Sequence, residues 1–481
     1  MYLAHAFGER YELPLPLSVF LLGGTLVVVF SFLLLARRGG EPGTVPVPPG
    51  GRGDTVPEGD GGPAPDSSGA PASVGDDPGA GPSPGGLPGW LSLAVFAALA
   101  ACGLWGAQEP AENLLPTTFW LLGWIAVPLS CGLIGDWTRP VNPFAVLVRL
   151  ADRPGLRRRL LGSDEPVPWP SRLGWWPATV GFFLVAWAEL VVNATAVVPA
   201  NTAFGLLAYA LVCAAAGLVF GTGFERRGEM FTVLFATWGR LGHRRFGGPG
   251  RPGLGGGLVV PFDPSPSRTA FVLLLLVSVT FDGLLATPGW DRLERRIPGN
   301  LVLHPGWLAA WRTVAFLLLA AALAVVFGMF AGVSRRLASG RTGRGGLSDL
   351  LPSLLPIAYG YLLAHNLQYL LVNAQLLAPL LGNPPGLPGW PLRLPYPFDD
   401  DFQPRVDLLP SAVYWYVSMA AVVAVHVIAV VVASVQLRRV AGSAGRARLG
   451  EYPWLAVMVA YTALSLWLLA QPLVTEVEHT G

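Results

Sequence analysis

Ten stretches of the chain are apolar for long enough to cross a bilayer, and most of the charge lies between them. About 20 predominantly apolar residues are needed for one crossing. The stretches run at about 15–36, 89–107, 117–135, 175–192, 201–221, 270–287, 309–333, 351–378, 411–434 and 453–471, taken below as spans 1 to 10. Two of the connecting segments keep helical spacing on one face only. In "NPFAVLVRLADRPGLRRRLL", Asn142 stands as an N-cap, Pro143 fits the first helical position, and Phe144, Leu147 and Val148 share a face. In "GEMFTVLFATWGRLGHRRF", Phe231, Leu234, Phe235, Trp238 and Leu241 follow the same spacing, with Arg240, Arg244 and Arg245 at the end. Both suit the headgroup layer of an anionic leaflet. The predicted fold is all-α: a polytopic helical membrane protein of about ten transmembrane helices plus two interfacial helices. Phe144-Ala-Val-Leu and Phe231-Thr-Val-Leu also match. Chance accounts for so short a match, and so does an internal repeat of span, interfacial helix and span.

Residues 39–88 break the pattern. They are rich in Pro and Gly, carry scattered acids and show no apolar periodicity. Such a segment cannot bury enough apolar surface to offset its ordering entropy. The expected organisation is therefore an external N-terminus with span 1 over 1–38, a disordered linker over 39–88, and a nine-helix membrane domain over 89–481.

Charge sets the expected orientation. Every one of the 32 basic residues is Arg. With the N-terminus outside, 25 of these fall in inside loops and 7 in outside segments, the bias that orients helical membrane proteins. Ten spans then place both termini outside and the linker in the cytoplasm. Trp90, Trp175, Trp176, Trp415 and Trp454 lie at span ends, where amphipathic rings favour the interface. Composition agrees: 52% of residues are hydrophobic and 13% charged, against about 25% charged in a soluble domain. No basic patch interleaved with aromatics exists in a soluble domain, so nucleic acid is not an expected partner. The lipid bilayer is one, with a small solute or ion as the other. Cys102, Cys131 and Cys213 all fall in apolar runs without metal or disulfide spacing and read as small packing residues.

The candidate chemistry lies inside the membrane. In span 8, "YGYLLAHNLQYLLVNAQLL" holds one His, two Asn and two Gln. Tyr361, His365, Gln368 and Gln375 lie near one helical face, with Asn366 and Asn373 as a neighbouring stripe. Lipid cannot satisfy these groups, so they should face other helices or a wet cavity. His426 is the strongly polar residue of an aliphatic run in span 9. Glu189, with Asn193 one turn on, ends span 4, and Asp282 lies in span 6. An ionisable group at mid-membrane costs on the order of 3 kcal/mol, which makes each a functional candidate. Each also has a structural alternative. The amides can bond helices together, the carboxylates can reach the interface, and each imidazole can be buried, neutral and hydrogen-bonded. The acidic loop 379–410, with Asp399, Asp400, Asp401 and Asp407, reads as a solvated charge run because it lacks calcium-loop spacing.

Three chemistries fit these residues. A carrier would use Glu189, Asp282 and the histidines to bind a cation or relay protons. His365 and His426 would be metal or axial haem ligands in a membrane-embedded enzyme, although no metal motif accompanies them. A carboxylate- or metal-assisted hydrolase needs an activated water and a base. A structural subunit of a membrane complex is the remaining possibility, and the pattern names no cofactor.

Several stretches taken together carry a resemblance: "AHAFGERYELPLPL", "GDWTRPVNPF", "SVTFDG", "AHNLQYLLVNAQLL" and "YPWLAVMVAYTALSLWLLAQP". They are similar to a family of polytopic membrane proteins of actinobacteria and some archaea, some of whose members are labelled fenitrothion hydrolase. The resemblance covers nearly all of the chain outside 39–88. It implies the multi-pass topology, a bacterial plasma-membrane address and, through the label, organophosphate ester cleavage. It implies no particular site residues.

Overall fold

Proline in the first turn starts many of the helices, where its missing N–H costs nothing. Pro88, Pro143, Pro177, Pro199 and Pro266 stand at such positions. The computed structural model describes residues 86–244, 255–298, 304–340, 346–392, 394–399 and 401–477, with Gly23, Leu26 and Phe30. Span 1, apart from those three helical positions, and the 39–88 segment up to residue 85 lie outside the described residues. In chain order the helices are α1 (Leu87–Trp105), α2 (Leu114–Ile134), α3 (Pro143–Ala151), α4 (Pro154–Leu161), α5 (Trp176–Leu190), α6 (Pro199–Phe220) and α7 (Thr222–Arg227). They continue with α8 (Met230–Gly239), α9 (Pro266–Leu285), α10 (Pro288–Glu294), α11 (Pro305–Ser339), α12 (Gly346–Asn373), α13 (Ser411–Val440) and α14 (Ala444–Val477). No strand occurs among the described residues.

Eight of the described helices are long and apolar enough to cross a membrane: α1, α2, α6, α9, α11, α12, α13 and α14. Leu91, Leu211 and Leu318 are exposed on their outward faces, as a lipid-facing surface requires. The chain is an all-α, multi-pass integral membrane protein. Burial separates centre from rim. In α12 and α9, 78% and 61% of the apolar window is buried, against 17% in α1 and α11. The central pair therefore carries the groups that lipid could not satisfy. Trp90 and Trp176 are exposed as span-end anchors, whereas Trp175 and Trp454 are buried. The Trp454 indole donates to Ser353 Oγ at 3.0 Å.

Span 4 departs from expectation. Its helix, α5, has 15 residues, about 22 Å at 1.5 Å per residue, short of the roughly 30 Å hydrocarbon core. The chain bends at Val191 and Val192 and makes one further helical turn at Asn193–Ala196. The run of apolar residues continues through this bend, which is why its sequence reads as one span.

The two short helices α3 and α8 form where the Asn142 cap and the apolar spacing predict, but other helices cover them. Phe144, Val146, Val148 and Arg149 of α3 are buried. In α8, Met230 through Phe235 are all buried, with Thr237 and Trp238. Their apolar faces are satisfied by protein instead of a headgroup layer. Each packs against the long helix that precedes the other, α3 on α6 and α8 on α2. Phe144 and Phe231, the first residues of the matching tetrapeptides, stack with ring centroids 5.0 Å apart at 11°. The caps also meet: Asn142 Nδ2 donates to Glu229 Oε2 at 2.8 Å. The two chain segments are thus built reciprocally, and the helices that follow them, α5 and α9, pack together.

A buried acid borders this junction. Glu225 is 5% exposed, and burial pushes its carboxyl up to about 7, against the pull of Arg149, whose Nε lies 3.7 Å away. Because the folded value lies above the ordinary 4.5, the folded chain holds a proton that the unfolded chain releases. This contribution to stability is complete below pH 4.5 and is lost as pH rises towards 7. The loss amounts to about 3 kcal/mol at 1.36 kcal/mol per pH unit. Arg149 keeps bonds to the carbonyls of Ala145 and Arg139 at 3.1 and 2.8 Å, so Glu225→Gln does not strand it. The melting temperature of the detergent-purified protein should fall between pH 5 and 7, and Glu225→Gln should flatten that fall. An identical pH profile in the variant would refute the assignment.

Candidate functional site

The site forms because three helices each bring one ionisable group to the same place. Glu189 is the penultimate residue of α5, just before the chain bends. Its Oε2 accepts a hydrogen bond from the Trp124 indole at 2.6 Å. Trp124 lies in α2, whose residues Thr117–Ala126 form a π-helical stretch. Such stretches are rare and cluster at functional positions, because the wider turn re-aims the side chains. Asp282 is three residues from the end of α9, and His365 lies within α12. His365 Nε2 and Asp282 Oδ2 are 2.7 Å apart. The Tyr361 ring lies nearly parallel to the imidazole, centroids 5.9 Å apart at 9°, which helps fix its orientation. Tyr361 can approach because the residue after Asp282 is Gly283, where a Cβ would sit 2.3 Å from the Tyr361 hydroxyl oxygen.

These groups border a cavity of about 570 Å³. Its wall includes Thr117 at the start of α2, Asn193 beyond α5, Leu285 at the end of α9, Leu308 near the start of α11 and Leu376 beyond α12. All five positions belong to one end of the bundle, so the cavity lies at that end. A smaller space of about 40 Å³ touches Glu189, Asp282 and Asn366 too. Its wall includes Leu234 and Trp238 of α8. Trp238 in turn lies against Tyr359, centroids 5.7 Å apart, and the Tyr359 hydroxyl donates to the Leu129 carbonyl at 2.6 Å. The covered helix α8 thus closes the space beneath the acids.

The residues singled out in the sequence separate into three groups. Glu189, Asn193, Asp282, His365, Asn366, Gln368 and Asn373 all border the large cavity. Gln375 does not; it exchanges two hydrogen bonds with the backbone of Arg405, at 3.1 and 3.0 Å, and ties α12 to the 379–410 loop. His426 borders neither space. It is 1% exposed, and its Nδ1–H donates to the Val422 carbonyl one turn back at 2.7 Å. Its Nε2 has no partner among the described residues. No group of three or more His, Cys, Asp or Glu side chains among the described residues could hold a metal ion. The two membrane histidines therefore have different surroundings.

No family model, curated protein or solved structure matches the chain. The site is read from its own chemistry.

Residues not singled out in the sequence complete the wall. Trp120 and Tyr369 border the cavity, and Trp124 binds Glu189. Trp124 carried a readable signal: an indole in the middle of a span needs a partner for its N–H, which lipid cannot supply. Arg312 borders the cavity as well. Its guanidinium donates to both oxygens of Glu294 at 2.7 and 2.9 Å, and the Trp290 indole donates to the same carboxylate at 2.7 Å.

Proposed function

We propose that this membrane protein moves a small solute or ion through the cavity around Glu189, Asp282 and His365. The observation that carries the reading is convergence. Two carboxylates and an imidazole from three helices meet at one cavity inside a bundle whose outer surface is apolar. Ionisable groups in that setting are costly and mark solute or proton paths. Two further features support it: the interrupted span at α5 and the π-helical stretch of α2, since carriers commonly build their sites from broken helices. With the arginine bias setting the orientation, the cavity opens outwards and α8 closes the inner side. The setting is a bacterial plasma membrane.

The test is a pH jump on the reconstituted protein adsorbed to a solid-supported membrane. Wild type should give a transient current, and Glu189→Gln and Asp282→Asn should each remove most of it. Currents unchanged in both variants would end this reading. A second reading follows the family resemblance, an organophosphate ester hydrolase. It is favoured by the Asp282–His365 pair, which could orient an imidazole as a general base for water. Ester cleavage by the purified protein, lost in His365→Ala, would put that reading first.

A further inference from the structure

The hydrogen bonding of the cavity wall is one-sided. Asn366 Nδ2 donates to the Leu362 carbonyl at 3.0 Å, and Asn373 Nδ2 donates to the Tyr369 carbonyl at 2.8 Å. Both amides thus use an N–H within α12. Their Oδ1 atoms accept nothing among the described residues. Glu189 forms no ion pair among the described residues, and its one hydrogen-bond donor is the neutral indole of Trp124. The charges on the rest of the wall are matched. Asp282 lies against His365, and the Arg312 guanidinium is held by both oxygens of Glu294. What remains among the described residues is one carboxylate without a cation and two amide oxygens without donors.

We infer that the cavity binds a protonated primary or secondary amine, with its N–H groups donating to Glu189 and to the oxygen of Asn366, which borders the same small space, and its apolar body against Trp120 and Tyr369. This rests on the carrier reading and names the class of its solute. An ammonium supplies the missing positive charge and N–H donors together. Aromatic walls favour a cation with an apolar body. An anionic solute would meet two carboxylates. A bare alkali ion leaves most of about 570 Å³ unfilled, and no group of three His, Cys, Asp or Glu side chains among the described residues could hold a divalent metal. A quaternary ammonium carries the charge but no N–H.

The test uses the detergent-purified full chain. Binding of methyl-, cyclohexyl- and 2-phenylethylammonium is followed by tryptophan fluorescence and by thermal shift. The trimethylated analogue and 2-phenylethanol serve as comparisons. At least one primary ammonium should bind saturably, at least about tenfold tighter than the alcohol, the worth of one charged hydrogen bond. The trimethylated analogue should bind more weakly than its parent. Glu189→Gln should weaken the ammonium at least about tenfold. Asn366→Ala, a milder change, should weaken it severalfold if Glu189→Gln proves unstable. The inference is overturned if no amine binds saturably, if the alcohol competes equally, or if both variants bind as wild type does. Amine binding without pH-jump currents would retain the site and remove the carrier. Currents without amine binding would do the reverse.

Discussion

Replacing Glu229 by Gln is expected to destabilise the protein nearly as much as replacing it by Ala. Glu229 caps α8 and is fully buried. It accepts five hydrogen bonds. Oε1 takes the Tyr209 hydroxyl at 2.7 Å and the Phe231 amide at 3.0 Å. Oε2 takes Asn142 Nδ2 at 2.8 Å, the Thr232 amide at 2.7 Å and the Thr232 hydroxyl at 2.6 Å. The Tyr209 hydroxyl cannot simply turn away, because it also accepts the Met230 amide at 2.8 Å. Glutamine keeps the shape but must present an NH₂ to one of these donor sets. A donor then faces donors, and each buried group left unpaired costs about 1–3 kcal/mol. Either variant should lose more than about 3 kcal/mol, seen as a large drop in melting temperature or in the folded fraction on gel filtration. Adding Asn142→Asp to the Gln variant should recover part of the loss. The new carboxylate can still cap α3 and now accepts from the glutamine, though the Thr232 amide stays unpaired. If Glu229→Gln melts like wild type, the carboxylate is not what joins the two caps.

The same junction shows what could and could not be read along the chain. Eight of the ten expected spans were legible because crossing a bilayer demands a long apolar run, a property of composition that needs no knowledge of neighbours. The cap of α3 was legible for a similar local reason, since Asn142 bonds to amides two and three residues on; Glu229 does the same for α8, but Glu is a less common cap and does not stand out in the sequence. The surroundings of α8 were half-legible. "MFTVLFATWG" has almost no polar face, and a helix apolar all round belongs inside a protein. Azimuth was the missing quantity. The position of Glu189 along α5 does not say that it points at Trp124, nor does the position of Asp282 say that it meets His365. Gln375 shares a face with His365 in sequence, yet the 3₁₀ turn at Ala374–Leu376 carries it out to the loop. The shortness of α5 was hidden by two valines that are as apolar in a bend as in a helix.

The pair at the centre of the site supplies the second large effect. His365→Leu should destabilise the protein more than Asp282→Asn does, and the two changes together should be less damaging than their sum. The imidazole lies 2.7 Å from Asp282 and sets a nitrogen base against that carboxylate. Removing it leaves Asp282 and Glu189 bordering one cavity as two acids without that base beside them. Asn at 282 is milder because its amide oxygen still accepts from the ring and one of the two acids is gone. Breaking a buried pair from one side typically costs about 3–5 kcal/mol. The Asp282 side chain is 23% exposed to the cavity, so water recovers part of that cost. A coupling of about 1–3 kcal/mol is the appropriate range for contacting residues. The Tyr361 ring, stacked on His365, loses its partner only when the imidazole goes, which adds to the asymmetry. Four melting curves in one detergent decide it: wild type, each single variant and the double. Strict additivity would mean that the 2.7 Å contact carries no energy and that the acids of this site are satisfied independently of His365.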